Sequence, residues 1–186
     1  MPQKKTFMQG LGEWVKVIII ALIIALPVRF FIAEPFIVQG ASMDPTFSTG
    51  QFLIVDRLSY RFENPHRGDV VVFEYPMNPS VYYIKRIIGL PGETVEVDHG
   101  VVTIKNEEHP DGLVLKEPYI DESHISTDTL LQTLGPTQYF VMGDNRAQSS
   151  DSRMWGPLNE NLIVGRPIIR LTPVDAISVL PGNYKE

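Results

Sequence analysis

Cysteine is absent from the 186 residues of the sequence. Its absence excludes a disulfide framework, a thiolate zinc site and a thiol nucleophile. Basic residues are also scarce, since 16 Lys and Arg stand against 22 Asp and Glu, for a formal net charge of −6. That balance argues against nucleic acid as a partner. The four histidines show no metal-ligand spacing and no Gly-rich phosphate loop is present, so we expect neither a metal nor a cofactor.

Long hydrophobic runs are limited to one, near the N-terminus. Residues 17–28 carry no charge and are rich in Ile, Leu and Ala. The run reaches the roughly 20 residues of a membrane span if Lys16 and Arg29 snorkel to the interface. We therefore predict a transmembrane anchor at 14–33, after a cytoplasmic segment 1–13. Lysines precede the run, so the positive-inside rule places the N-terminus in the cytoplasm and the rest of the chain outside.

Two other interpretations of the apolar run remain open. A cleavable signal peptide has an apolar region of similar length, but no small-x-small cleavage site follows this one, which favours a retained anchor. A buried core helix fits less well, because the run has no polar face.

The rest of the chain has the pattern of a β protein. It is rich in turn residues, with 14 Gly and 15 Pro in the whole sequence. Short apolar and β-branched segments bounded by such residues predict extended strands at 36–38, 51–56, 69–75, 81–88, 94–97, 101–104, 138–142, 162–165 and 168–171. The segments on either side of Asp98-His99-Gly100 predict a hairpin.

Acidic residues concentrate in one segment of this β region. Residues 92–136 hold ten acidic and two basic side chains, and 105–136 are polar and poorly patterned. We predict that 92–136 form a small acidic insertion or long loop, within a β core made of 34–91 and 137–186. Such an insertion is expected to face away from an anionic membrane surface.

Three local features carry candidate chemistry. Ser42 lies between the small Gly40-Ala41 pair and a Pro-stiffened turn, which could expose its hydroxyl. Lys85 lies in an apolar strand, where burial would favour the neutral amine that a serine nucleophile needs as its base. Residues 143–156 pack charged and hydroxyl groups into one loop. Singly, each is more often a turn, a solvent-exposed lysine or a polar loop, but together they form a plausible catalytic constellation.

At these positions the chain resembles bacterial type I signal peptidases of the Gram-positive type. The resemblance covers nearly the whole chain, including an N-terminal anchor and the segment 42–46, and is most specific at 83–93 and 143–156. It implies a signal-peptidase-like, mostly β fold with a small inserted β/loop region, preceded by one transmembrane helix.

The resemblance also implies roles for individual residues. Ser42 matches the nucleophile, Lys85 the general base, and Ser149 the hydroxyl that orients the lysine amine. Two positions depart from the pattern of some members: Gly40 lacks a hydroxyl that would help to form the oxyanion hole, and Ala147 replaces an Asp. Two ion pairs match the family's supporting positions: Asp151 with Arg153, and Asp144 with Arg86. The apolar residues that match its substrate pockets are Phe36, Val38 and Ile84.

The implied activity is that of a serine endopeptidase that removes N-terminal signal peptides after small residues at positions −1 and −3. Its expected partners are preproteins and the lipid bilayer, and its expected state is a monomer in the cell membrane with the catalytic domain outside. Self-cleaving SOS repressors and a conjugation-linked maturation protease share the Ser-Lys dyad. The repressors are disfavoured because the chain shows no helix-turn-helix pattern. A membrane-anchored module that binds extended peptides without cutting them is the alternative from another class.

Overall fold

Strands dominate the structure, a computed structural model that describes residues 7–27 and 33–184. These residues contain two α-helices, α1 (Phe7–Pro27) and α2 (Ser152–Trp155). The strands are β1 (Ala33–Ile37), β2 (Phe52–Asp56), β3 (Val70–Tyr75), β4 (Asn78–Gly89), β5 (Thr94–Asp98), β6 (Val101–Lys105), β7 (Leu113–Val114), β8 (Thr129–Thr133), β9 (Gln138–Met142), β10 (Leu158–Asn159), β11 (Ile163–Arg170) and β12 (Ser178–Val179). The prediction of a mostly β fold is confirmed.

Helix α1 covers much of the N-terminal apolar run. Its side chains at 13–23 are all exposed. No helix within the described ranges is long and apolar enough to cross a membrane. Residues 1–6 of the predicted cytoplasmic segment and 28–32 of the predicted span lie outside the described residues.

The larger sheet has eight strands in the order β1-β2-β11-β3-β4-β9-β10, with β12 paired to β11, and every pair is antiparallel. Its strands follow the sequence pattern. Strand β2 alternates, with Leu53 and Val55 buried between half-exposed neighbours. Strand β3 begins with four successive buried apolar residues, as expected for a strand covered on both faces.

Strand β11 corrects one prediction. The sequence indicates two strands, at 162–165 and 168–171, whereas the structure has one. Pro167 lies where the register of β11 against β2 shifts, between Pro167 and Ile169. A proline, which lacks an N–H, is tolerated at such an irregularity, so the strand continues through it. The bent strand pairs with β3 in its first half and with β2 in its second half.

The smaller sheet has the order β7-β6-β5-β8. The predicted hairpin is confirmed: β5 pairs with β6 across a turn in which His99 and Gly100 both have positive φ, at 47° and 87°. Strands β7 and β8 lie within 105–136, which was predicted as an insertion or long loop. Strand β7 is only two residues long, and β8 has three polar side chains among its five, so neither shows a clear strand pattern in the sequence. The sheet buries one face against apolar side chains of β4 and β9, including Ile88, Phe140 and Met142.

Two strand edges of the larger sheet face one groove. Strand β1 pairs with β2 on one side only. Strand β4 pairs with β9 only from Arg86 onwards, so its preceding residues have no strand partner on that edge among the described residues. The rings of Phe36 and Tyr82, from β1 and β4, are 5.3 Å apart between centroids. The sheet therefore brings the free edge of β1 beside the unpaired part of β4.

Candidate active site

The groove between β1 and β4 has a volume of about 600 Å³. Five of the residues singled out in the sequence line it: Phe36, Val38, Ser42, Ile84 and Lys85. They come from β1, from the segment that joins β1 to β2, and from β4. The fold thus brings together residues more than 40 positions apart. Gln148 and Ser150, from the polar loop at 143–156, also line the groove.

Ser42 lies on a turn that the protein core and a neighbouring loop hold in place. Gly40 adopts a φ of +89°, a conformation that L side chains rarely adopt. The buried side chains of Met43 and Phe47 anchor the turn, and the Phe47 N–H donates a 2.8 Å hydrogen bond to the Met43 carbonyl. The Asn145 N–H donates to the Ser42 carbonyl over 3.1 Å. The backbone that carries the hydroxyl is thus held by both the core and the loop after β9.

The Lys85 side chain reaches the Ser42 hydroxyl from the buried part of β4. Its Nζ lies 2.7 Å from Ser42 Oγ and donates a 2.9 Å hydrogen bond to the Ile84 carbonyl. Only 3% of the residue is exposed. Burial lowers the pKa of Lys85 to about 8, although the carboxylates of Asp151 and Asp144 oppose that shift. The neutral amine, a minor species near pH 7, therefore becomes the major form at a much lower pH than for an ordinary lysine.

Arg86 points away from the groove into a buried ion pair with Asp144. Its Nε and Nη2 donate to the two carboxylate oxygens over 2.8 and 2.6 Å, and its Nη1 donates to the carbonyls of Gly68 and Gly182. Asp144 also accepts a 2.5 Å hydrogen bond from the Thr46 hydroxyl. The strand that carries Lys85 and the turn that carries Ser42 are therefore tied to one carboxylate.

The second predicted ion pair lies beside the first residues of α2. Arg153 donates to both oxygens of Asp151 over 2.8 Å, and Asp151 accepts the backbone N–H of Gly143 over 3.0 Å. Burial alone would raise the pKa of Asp151, but the hydrogen bonds and charge of Arg153 hold it below its usual value. Asp151 also caps α2 by accepting the Arg153 N–H. This carboxylate thus fixes both ends of the polar loop.

The Ser149 hydroxyl is buried in that loop beside the Asp151 carboxylate, whose pKa it helps to lower. Its predicted role in orienting the Lys85 amine stays a prediction, since that amine donates to Ser42 and to the Ile84 carbonyl. Gly143 packs directly against the Ser149 hydroxyl: a Cβ on Gly143 would overlap both Ser149 Oγ and the Ser42 carbonyl oxygen. The absence of a side chain at Gly143 lets the loop approach Ser42 this closely. Ala147, the other position that departs from the family pattern, is exposed.

Three polar residues around this loop were missed in the sequence: Arg146, which is buried, and Glu117 and Tyr119, which are partly buried. Arg146 pairs with Glu117, and the ring of Tyr119 lies 3.9 Å from the Arg86 guanidinium carbon. Glu117 and Tyr119 belong to the polar stretch after β7, where no periodicity distinguishes a buried side chain from an exposed one. Their partners are separated from them by about 30 residues, so no local signal could have found these contacts.

Comparisons with known proteins point to one family. Residues 11–172 match a family described as "Signal peptidase, peptidase S26". The chain is 39% identical to a probable signal peptidase I-1 of Synechocystis sp., over 89% of this chain and 84% of that protein. It is 40% identical to a signal peptidase I of Bacillus licheniformis, over 77% and 78% of the two. A crystal structure of a signal peptidase I from Enterococcus faecalis is 31% identical, covers 56% of this chain and 97% of that one, and has a TM-score of 0.47.

Proposed function

The chain belongs to the signal peptidase I family, peptidase S26, whose members remove signal peptides, and on this premise we propose that Ser42 and Lys85 are its nucleophile and general base. The observation that carries the proposal is the 2.7 Å separation of Ser42 Oγ and Lys85 Nζ within the groove. The lowered pKa of the lysine supports it, since a base must be neutral to accept a proton.

The reaction then follows the logic of a serine protease with lysine in the place of histidine. Lys85 accepts the Ser42 proton while Oγ attacks the carbonyl carbon of residue −1. The ammonium returns that proton to the leaving amine, the peptide bond breaks, and an acyl-enzyme remains. Lys85 next takes a proton from water, which attacks the ester, and Ser42 leaves with that proton. The backbone N–H of Ser42 is the proposed hydrogen-bond donor to the oxyanion. Because Gly40 has no hydroxyl, the second donor must be another group.

Substrate selection is proposed to occur at the apolar part of the groove. Phe36, Val38 and Ile84 line it beside the dyad, where they would limit positions −1 and −3 to small side chains. The free edges of β1 and β4 offer backbone hydrogen bonds to an extended signal peptide. Both edges and both proposed catalytic residues come from one chain, so we propose that the monomer is active on preproteins.

The proposed activity is tested with the purified full chain and two preprotein peptides that differ only at position −1, Ala in one and Phe in the other. We expect the Ala peptide to be cut after position −1, and kcat/KM to fall at least about 100-fold for Phe, because Phe36, Val38 and Ile84 are proposed to admit only a small side chain there. Mass spectrometry identifies the cut. An intact Ala peptide would contradict the activity, and equal rates for both peptides would contradict the pocket.

Membrane attachment through 14–33 is proposed as a single pass, with the N-terminus in the cytoplasm and the catalytic region outside. Large apolar side chains of α1 are exposed around its whole circumference, which suits hydrocarbon better than water: Trp14, Val15, Val17, Ile18, Ile19, Ile20, Leu22 and Ile23. The chain should resist carbonate extraction from membranes, and protease added outside intact spheroplasts should digest its catalytic region. Release by carbonate, or protection of that region, would contradict the topology.

A further inference from the structure

Glu117 extends from the stretch after β7 to the polar loop that packs under Ser42. Its side chain is 8% exposed, and the Arg146 side chain that it meets is 2% exposed. Nη1 of Arg146 donates to one oxygen of Glu117 over 2.9 Å, and Nη2 donates to the other. The Tyr119 hydroxyl donates a further 2.8 Å hydrogen bond to the same carboxylate. The ion pair between Arg146 and Glu117 is therefore bidentate and shielded from solvent, and the Tyr119 hydroxyl helps to hold the carboxylate in place.

Arg146 passes this constraint to the catalytic loop. Its Nε donates to the Gly143 carbonyl over 3.1 Å, and its own carbonyl accepts from Nη2 of Arg153 over 2.8 Å. Gly143 is the residue that packs against the Ser42 carbonyl and Ser149. A shift of the Arg146 guanidinium would therefore move the surface against which the nucleophile turn rests.

Tyr119 reinforces the link on the other side of the site. Its ring covers the Arg86 guanidinium at 3.9 Å, and this guanidinium holds Asp144, which accepts from Thr46 of the Ser42 turn. The 117–119 segment thus contacts both buried arginines that support the proposed dyad. Neither contact serves the apolar core of the smaller sheet, which is formed by other residues.

We propose that Glu117 is a positioning residue for catalysis, which acts through Arg146 and Gly143 to hold the Ser42 turn at the correct distance from Lys85. The inference rests on the proposed function of that dyad. The charge of Glu117 is needed because Arg146 remains ionised in the interior and a buried guanidinium without a carboxylate would draw the loop into a different arrangement. Displacements of this kind have large effects on rate, since about 1 Å can change it about 100-fold.

The test compares Glu117→Gln with Glu108→Gln, which removes an equal charge from an exposed position nearby. We expect Glu117→Gln to lower kcat about 10- to 100-fold with KM within about twofold of the wild-type value, and Glu108→Gln to change neither. We expect kcat to fall without a matching change in KM, because the substitution shifts the Ser42 turn but leaves the pocket residues in place. A residue of merely structural importance would lower the melting temperature and leave kcat unchanged, which would overturn the proposal.

A double-mutant cycle with Arg146→Gln tests the route. If Glu117 acts through Arg146, the double variant should be no slower than the slower single variant, because the second change removes an interaction that is already lost. Independent, multiplying losses would contradict the route.

Should Glu117→Gln fail to fold at the assay temperature, Tyr119→Phe replaces it, since it removes one hydrogen bond to the carboxylate. A kcat about two- to fivefold lower at unchanged KM supports positioning, and an unchanged kcat contradicts it.

Failure of this inference is distinguishable from failure of the proposed function. Ser42→Ala is assayed beside the Glu117 variants on the same peptide. An active Ser42→Ala enzyme would overturn the dyad and with it the role of Glu117. An inactive Ser42→Ala enzyme together with full activity of Glu117→Gln would overturn the positioning role alone.

Discussion

Lys85→Met is expected to lower kcat/KM at least about 10⁴-fold while the protein stays folded. Methionine has nearly the length of lysine but no amine, so Ser42 loses the group that accepts its proton. Lys85 is 3% exposed, and replacing a buried amine with a thioether removes a desolvation penalty. The free energy of unfolding should therefore stay the same or rise, which separates loss of chemistry from loss of structure.

Peptide cleavage and thermal unfolding of the same preparations check this expectation. Lys116→Met is the matched control, because Lys116 lies on the surface of the smaller-sheet region and its loss should change neither quantity. Activity of Lys85→Met within about tenfold of the wild-type value would remove Lys85 as the base, since removal of a general base typically slows a reaction at least 10²-fold.

The pH profile of the wild-type enzyme provides the companion measurement. The base acts in its neutral form, whose fraction increases with pH, and burial lowers the pKa of Lys85 to about 8. We expect kcat/KM to rise with pH and to level off above about pH 8, with this limb missing from the residual activity of Lys85→Met. A profile that is flat across this range would assign the proton transfer to another group.

Ser42→Ala is expected to be at least as damaging, because it removes the hydroxyl that lies 2.7 Å from Lys85 Nζ and is proposed to form the acyl-enzyme. The loss in kcat should be about 10⁴- to 10⁶-fold. Peptide affinity should be retained, since Phe36, Val38 and Ile84 are unchanged. The side chain loses one oxygen, and the turn keeps its anchors Met43 and Phe47, so the fold should be preserved.

Binding and cleavage are measured separately to check this result. A fluorescent signal-peptide analogue reports affinity, and mass spectrometry reports the cut and the acyl-enzyme. Ser48→Ala is the control in the same turn, where an exposed hydroxyl bonds to Asp44 over 2.8 Å. Cleavage by Ser42→Ala at a rate near that of Ser48→Ala would disprove the nucleophile.

Local patterns predicted much of the β architecture. The β-branched stretch of β3 and the alternating pattern of β2 each predict a strand from the local sequence alone. The hairpin turn is likewise predicted by residues 98–100. Lys85 could be placed beside apolar neighbours for the same reason. Family membership also decides between the two classes of function left open by the sequence, in favour of the peptidase over the non-cutting peptide-binding module.

Contacts between distant segments could not be predicted in this way. Strand β11 continues through Pro167 because its partners shift register there, which depends on β2 and β3 rather than on the proline. Strand β8 is fixed by pairing with β5, since its own side chains are mostly polar. Glu117 and Arg146 are charged residues that sequence patterns assign to the surface, and only their mutual contact makes them buried.

The sheet pairing that closes the larger sheet also determines when the site can exist during synthesis. Strand β2 pairs with β11, so Val55 meets Pro167 across more than 100 residues. Arg86 binds the carbonyl of Gly182, and the carbonyl of Ser42 binds Asn145. A ribosome makes the chain from its N-terminus, and distant pairings form slowly because the intervening loop must first close. Ser42 is therefore translated early but acquires these supports only after Asn145, Pro167 and Gly182 have been made, so we expect a nascent product, or one truncated before them, to lack the proposed catalytic centre in assembled form.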